Sequence, residues 1–334
     1  MTDTEQHDDN IVYGAKALKI IARPVYPIVS AYEFEFLKEE EILQRRMDNC
    51  TIYMIVQRPL TYFDNVRLDD SYIYFDITDG TQEPFHCRIN LVENEICAVG
   101  EPTDIDVLFF TKEPSDEQPF RNVGAIKLFD KDGKFIVWWS PQKILYEMLV
   151  KNLVVETIGD PLAYLDFRVL YVGKAFAQKV WNRLTGHEKM QRILTLEGPI
   201  GASPEARAPF EVSLILLKAM DFDELVVVPD TALPRRPATK LASHLINLNQ
   251  DGAIDAFSLP FIDVGDEALT RDLEAQLIRY FRPEYNEVFF DNYPDIKGGL
   301  LSKGYTWSDF EIVGLPAALS TEHGSTSIGY VVKP

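Results

Sequence analysis

The sequence predicts an α+β chain, in which a mostly-β N-terminal domain precedes a mixed α/β domain with a small central sheet flanked by helices. Short runs rich in β-branched and aromatic residues dominate the first 140 positions. Longer segments with apolar residues at helical spacing follow position 141. The length of 334 residues favours two domains over a single core.

The N-terminal part begins with a polar, acidic stretch, residues 1–10, which we predict to be a disordered tail. The acidic β-rich domain then spans residues 11–140. The Asp130-Lys131-Asp132-Gly133 run between two apolar segments is typical of a hairpin turn. A helix is predicted at 33–46, and strands are predicted at 51–56, 72–77, 85–91, 106–110, 125–129 and 134–139.

The second domain, residues 141–334, begins with Pro141, a residue that is favoured in the first turn of a helix. An insertion rich in Gly, Ala and Pro at its start is predicted around residues 198–265. Apolar residues at helical spacing predict helices at 142–152, 177–194, 239–248 and 268–281. Strands are predicted at 154–158, 168–172, 212–217, 225–228, 307–313 and 327–332.

The charge distribution along the chain indicates which kinds of partner each region could bind. The chain has 33 basic and 52 acidic residues and a net charge of −19. Residues 1–120 hold 24 acids and 10 bases, which disfavours phosphate binding by the first domain and suits a protein partner there. Residues 161–200 hold 3 acids and 6 bases. This local basic patch is where a polyanion would bind, although a solvated helix face has the same composition.

The remaining bulk features predict a cytoplasmic protein without a membrane partner. No apolar run is long enough for a membrane span, and the first residues resemble neither a secretory nor a transit signal. The three cysteines are far apart and show neither a zinc-ligand spacing nor a disulfide framework.

One group of residues in the second domain carries a chemical signal. Tyr171 and Gly173 end a predicted strand, and the helix that follows places Arg183 and His187 four residues apart, on one face. About ninety positions later, Glu274 precedes an apolar helical stripe. Lys174, Lys189 and Arg192 add positive charge, and Pro283 and Asn286 follow the second helix.

These residues, in this order, resemble the GIY-YIG endonuclease superfamily over about residues 154–286. The resemblance implies that Tyr171 orients or activates the attacking water and that Arg183 contacts the scissile phosphate. It implies that His187 assists proton transfer. Glu274 would hold a single Mg²⁺ (or Mn²⁺), since hard cations take oxygen ligands and keep several waters. Lys174, Lys189, Arg192 and Asn286 would contact the substrate.

The first motif of the family, Gly-Ile-Tyr, should lie on the strand before Tyr171. The stretch at 154–159 contains no tyrosine. Tyr164 is the nearest substitute as a base, and His187 is the other candidate for that role.

The resemblance therefore implies a metal-dependent endonuclease that hydrolyses DNA phosphodiester bonds, in a phage-related or defence setting. A catalytically degenerate module that binds protein or nucleic acid is the alternative. Each residue also has an ordinary structural explanation, such as a solvated Arg–His helix face or a Glu favoured early in a helix by the macrodipole. The order and spacing of all of them together favour the site.

Overall fold

The computed structural model describes residues 11–13, 17–30, 34, 44–45, 47–101, 103–109, 117–175, 190–193, 210–222, 245–247, 266–303, 305 and 307–327. The predicted α+β class is wrong, because strands far outnumber helices in the described part of the chain, at 44% against 19%. The strands are β1 (Ile11–Tyr13), β2 (Ala17–Pro24), β3 (Val29–Ser30), β4 (Ile52–Pro59), β5 (Tyr62–Asp69), β6 (Tyr72–Thr78), β7 (Phe85–Asn90), β8 (Thr103–Phe109), β9 (Val123–Asp130), β10 (Phe135–Trp139), β11 (Glu156–Ile158), β12 (Asp166–Lys174), β13 (Phe210–Phe222), β14 (Leu245–Asn247), β15 (Trp307–Ile312), β16 (Ala318–Ser320) and β17 (Ser325–Thr326).

The described helices are α1 (Pro141–Leu149) and α2 (Asp266–Phe281), with 3-10 turns at Pro161–Tyr164 and Leu300–Lys303. Both α-helices were predicted, and α1 begins as expected, with the Ser140 hydroxyl capping it by accepting from the Lys143 backbone N–H. Of the helix predicted at 177–194, only 190–193 are described, and they are helical. Within the helix predicted at 239–248, residues 245–247 instead form β14. The strand predicted at 225–228 lies outside the described residues.

The fold class is predicted wrongly because several strands have no recognisable sequence pattern. β5 shows the cause: its register with β6 shifts between Asp64 and Arg67. Asn65 has a φ of 54° at this bulge. Because a bulge inserts an extra residue, it breaks the alternation of polar and apolar side chains by which a strand is recognised. Strands of two or three residues, such as β16 and β17, carry too little pattern to be predicted.

The chain divides into two compact units. One consists of residues 1–22, 219–279 and 288–311, and the other of residues 23–218, 280–287 and 312–334. In the first unit, β1 and β14 form an antiparallel pair. Lys19 Nζ and Glu311, on β2 and β15, form an ion pair at 2.5 Å.

The second unit contains a sheet, here called the main sheet, with the strand order β13, β4, β12, β16, β17. β4 lies between β13 and β12 and is antiparallel to both. β12 and β16 are parallel. One face of the main sheet packs into a core of buried apolar side chains that includes Tyr53, Ile55, Leu170, Leu214, Leu216, Met190 and Ile193.

A second sheet, with the order β10, β9, β5, β6, β7, β11, is formed by residues 60–165, which we call the insert. The insert leaves the main sheet after β4 and returns at β12. β8 pairs with β9 outside this path. The insert has a core of its own, to which Phe63, Phe75, Phe85, Trp139 and Ile144 contribute. Two neighbouring strands of the main sheet are therefore separated in sequence by a complete, separately packed sheet.

Arg58 contacts both ends of the insert, where the chain leaves the main sheet and where it returns to it. Its side chain is buried and donates to the Tyr164 carbonyl at 2.6 Å and to Thr61 Oγ1 at 2.9 Å. It also pairs with Glu211 on β13 at 3.1 Å and stacks on the Phe167 ring, 5.0 Å from its centroid. Because a buried guanidinium needs its donors satisfied, this arrangement fixes both ends of the insert against the main sheet.

Candidate functional site

The pairing of β4 with β12 brings two tyrosines together. Tyr53 lies opposite Gly173, and Ile55 lies opposite Tyr171. Tyr53 and Tyr171 are thus diagonal neighbours on one face of the main sheet, a spacing within reach of aromatic side chains. Their ring centroids are 5.9 Å apart, at an interplanar angle of 36°. We call this side of the main sheet, where the buried Tyr53 lies beside the partly exposed Tyr171, the tyrosine face.

Gly173 makes this close approach possible. A Cβ at position 173 would lie 2.6 Å from the Tyr53 ring and 2.7 Å from the Tyr171 ring. Such distances are far inside van der Waals contact, so any other residue would force the two rings apart. The Tyr-Val-Gly sequence therefore needs its glycine for packing between the two tyrosines.

Asn286 holds β12 at the residue between Tyr171 and Gly173. Its Oδ1 accepts from the Val172 backbone N–H at 2.9 Å, and its Nδ2 donates to the Val172 carbonyl at 2.8 Å. The backbone N–H of Tyr285 adds a bond to the Leu170 carbonyl at 3.1 Å. The Asn286 side chain is buried, so in this structure its contacts are with the strand. They join the segment after α2 to the Tyr-Val-Gly strand.

Tyr53, which the structure places beside Tyr171, is not among the residues expected from the sequence. The run Thr51-Ile52-Tyr53 spells the first motif without its glycine, but it lies more than a hundred positions before Tyr171. The resemblance puts the motif in the stretch just before Tyr171, but residues 156–158 of that stretch form β11, which pairs with β7 in the insert. The available signal was the Ile-Tyr pair at the start of a strongly apolar strand.

Tyr164, the substitute proposed from the sequence, occupies a different place. It is buried in the 3-10 turn where the insert returns, and its hydroxyl donates to the Glu83 carbonyl at 2.7 Å. Burial raises the pKa of Tyr164 to about 12, with nearby carboxylates such as Asp79 adding to the effect. A hydroxyl with this pKa and this partner is poorly suited to accept a proton near neutral pH.

The predicted basic contacts are distributed differently. Lys174 pairs with Ile52, one position beyond Gly173, so strand alternation directs it away from the tyrosine face. Arg168 pairs with Gln57 and is on the same face as Tyr171. It forms an exposed ion pair with Glu284 at 2.7 Å. Arg192 is exposed on the helical residues 190–193, whereas Arg183, His187 and Lys189 lie outside the described residues.

Glu274 lies on α2, in the first unit, where it can be compared with the other acids of that helix. Asp272 is fully buried and accepts from Tyr293 Oη, Ser308 Oγ, Gln276 Nε2 and the Leu300 backbone N–H. Glu267 is paired with Arg271. Glu274 is only half-buried. Since a metal ligand needs an accessible oxygen, Glu274 fits a divalent cation better than Asp272 does.

Among the described residues, no group of three or more His, Cys, Asp or Glu side chains converges as a metal site would. A site built on one carboxylate and water does not require such a group. In the described part of the chain no helix is long and apolar enough to cross a membrane. No family model, curated protein or solved structure matches this chain.

Proposed function

We propose that the chain is a metal-dependent endonuclease that hydrolyses DNA phosphodiester bonds, with Tyr53 in the place of the missing first-motif tyrosine. The observation that carries the proposal is the pairing of Tyr53 and Tyr171 across Gly173. The GIY-YIG resemblance requires two tyrosines on adjacent strands. The main sheet supplies that arrangement, although its two strands are far apart in sequence. The free state of all three cysteines is consistent with the cytoplasmic location that we propose.

In this proposal the Tyr171 hydroxyl, on a partly exposed side chain, positions and activates the attacking water, and the buried Tyr53 is a positioning residue that acts through the Tyr171 ring beside it. Arg183 contacts the scissile phosphate with a planar, permanently charged guanidinium, and His187 assists proton transfer. Arg192 and Lys189 bind the flanking backbone. Asn286 acts through Val172 and is a positioning residue, because its amide atoms hold the strand that carries Tyr171.

Glu274 is the residue that would hold Mg²⁺ or Mn²⁺. A divalent ion bound there would supply electrostatic stabilisation of the charge that develops on the phosphate oxygens. α2 is well suited to present one carboxylate rigidly. The buried acceptor Asp272 fixes its position, and the apolar side chains of Leu273, Leu277 and Ile278 are buried.

The test is a cleavage assay on plasmid, linear and single-stranded DNA with Mg²⁺ or Mn²⁺. Wild type is compared with Glu274→Ala, Arg183→Ala and Tyr171→Phe. We expect cleavage by wild type and losses of about a hundredfold or more in the variants. Glu267→Ala is the matched control, because it removes an exposed carboxylate from the same helix. It should cleave at the wild-type rate.

Cleavage that is unchanged in all three variants would refute the site. Equal loss in Glu267→Ala and Glu274→Ala would show that the carboxylate effect is not specific to position 274.

A degenerate module that binds a partner without cutting is the second candidate, and one observation favours it. Tyr53 is fully buried, at 0% exposure, whereas a catalytic hydroxyl must reach its substrate. Absence of cleavage by every preparation, combined with retained DNA affinity that Arg183→Ala weakens, would favour this candidate over the enzyme.

A further inference from the structure

The outward side of the insert has an organised surface that the proposed nuclease chemistry does not use. Alternation along β5, β6 and β7 puts the apolar side chains on the inner side, whereas Ile158 of β11, which pairs with His86, is exposed on the opposite side. We call the opposite side, with its polar and aromatic side chains, the outer face. Two rows of cross-strand neighbours define it: Asp64, Asp76 and His86, and then Arg67, Tyr74, Arg88 and Glu156.

The outer face is held in one arrangement by contacts among its own side chains. Arg67 stacks on Tyr74 at 4.5 Å, and Arg88 stacks on Tyr72 at 5.0 Å. Arg88 is also paired with Glu156 across the sheet. Side chains that are already ordered lose little conformational entropy when a partner covers them, so this surface is prepared for docking.

The composition of the outer face is also typical of a protein interface. Its centre consists of two tyrosines and two arginines, the residue types that dominate binding hot spots. None of the four strands contains a lysine, the residue type that interfaces avoid.

Charge identifies the kind of partner. On the outer face Asp64, Asp76 and Glu156 outnumber Arg67 and Arg88, and Asp69 and Asp70 extend the acidic side at the β5–β6 turn. Residues 60–165 as a whole hold 19 acidic and 9 basic residues, a net charge of −10 within the total of −19. Such a surface repels phosphodiesters and attracts cations.

We propose that the outer face of the insert is the docking surface for a basic protein segment. The partner's lysines and arginines meet the exposed carboxylates Asp69 and Glu156, and its remaining contacts cover Tyr72 and Tyr74. Tyrosine and arginine supply contact area, and the acids select a basic partner over nucleic acid. The proposal does not depend on the nuclease function, because it uses none of the residues assigned to that site.

The test measures binding of a fluorescein-labelled polylysine peptide to the full chain by fluorescence anisotropy. Asp69→Asn with Glu156→Gln removes two negative charges from the outer face and is expected to weaken binding about tenfold or more. Asp104→Asn with Asp106→Asn removes two charges from the exposed positions of β8 and is the matched control. It should weaken binding less than about twofold.

A variant that leaves the charge unchanged tests whether binding depends on the specific side chains of the outer face or only on its negative charge. Tyr74→Ser removes the ring that supports Arg67 and should also weaken binding, whereas Phe135→Ser, which removes an exposed ring from β10, should not. Equal weakening by the two charge-removing pairs, or no effect of Tyr74→Ser, would overturn the proposal. So would two other findings: binding of a thymidine oligonucleotide that Tyr74→Ser abolishes, or self-association in sedimentation that the same variant abolishes. The first would assign the face to nucleic acid, and the second to another copy of the chain.

Discussion

Asn286 and Asn94 make the same pair of hydrogen bonds in two different surroundings. Asn286 bonds the backbone N–H and carbonyl of Val172 in the main sheet, where it is buried. Asn94 bonds the same two groups of Val154 in the insert, at 2.7 and 2.9 Å, in an exposed position. The geometry is shared, but water can replace the second pair and not the first. The two pairs therefore differ in burial, and the buried pair of the main sheet should contribute more to stability than the exposed pair of the insert.

The largest effect should come from the buried arginine at the base of the insert. Arg58→Ala leaves Glu211 and the Tyr164 carbonyl without their partner and should lower the free energy of unfolding by about 3–5 kcal/mol. Arg168→Ala, which breaks the exposed pair with Glu284, should cost about 0–1 kcal/mol. Urea unfolding of both variants measures the difference. Similar costs would mean that Arg58 does not hold the insert in place.

The second largest effect on stability is expected from substituting Asn286, and Asn94 gives the comparison. Asn286→Ala leaves two buried backbone groups of Val172 unpaired and should cost about 2–4 kcal/mol. Asn94→Ala exposes the equivalent groups of Val154 to water and should cost about 0.5–1.5 kcal/mol. Chemical denaturation reports both values. An Asn94→Ala cost as large as that of Asn286→Ala would remove the distinction between the two regions.

The third largest effect on stability is expected at Gly173, which lies between Tyr53 and Tyr171. Gly173→Ala places a methyl group against both rings and should cost about 1–3 kcal/mol. Tyr53→Leu makes room for it, so the double variant should be more stable than the sum of the two single costs predicts. A double-mutant cycle by urea unfolding measures this coupling. Strict additivity would show that the methyl group does not meet the Tyr53 ring.

The smallest effect is a pH dependence in the insert. Burial alone would raise the pKa of Asp79, but hydrogen bonds from Gln82 and Thr81 lower it by more, so the pKa lies below its ordinary value. The stabilisation that follows is present above the unfolded pKa and is lost as the pH falls through the folded pKa. Asp79→Asn should cost about 1 kcal/mol at neutral pH, and less below about pH 4. A difference that stays constant between these pH values would contradict this.

The sequence predicts what depends on neighbouring residues, and it fails where distant residues meet. The strands at 51–56 and 168–172 are confirmed, as are α1 and α2, because each has an apolar pattern of its own. The pairing of the first two strands carries no local signal, since the insert separates them. The predicted boundary at residue 140 therefore puts Tyr53 and Tyr171 in different domains, and Tyr164 is the nearest tyrosine before Tyr171 in the sequence. β5 was missed because its bulge breaks the strand alternation.

The most direct test of the central claim compares the tyrosine that the sequence suggests with the one that the structure places beside Tyr171. Tyr53→Phe and Tyr164→Phe each remove one buried hydroxyl and keep the ring. Plasmid cleavage with Mg²⁺ should fall about a hundredfold in Tyr53→Phe and change less than about threefold in Tyr164→Phe. Thermal unfolding of both variants verifies that they are folded. The opposite order of effects, or full activity of a folded Tyr53→Phe, would contradict the assignment of Tyr53 to the site.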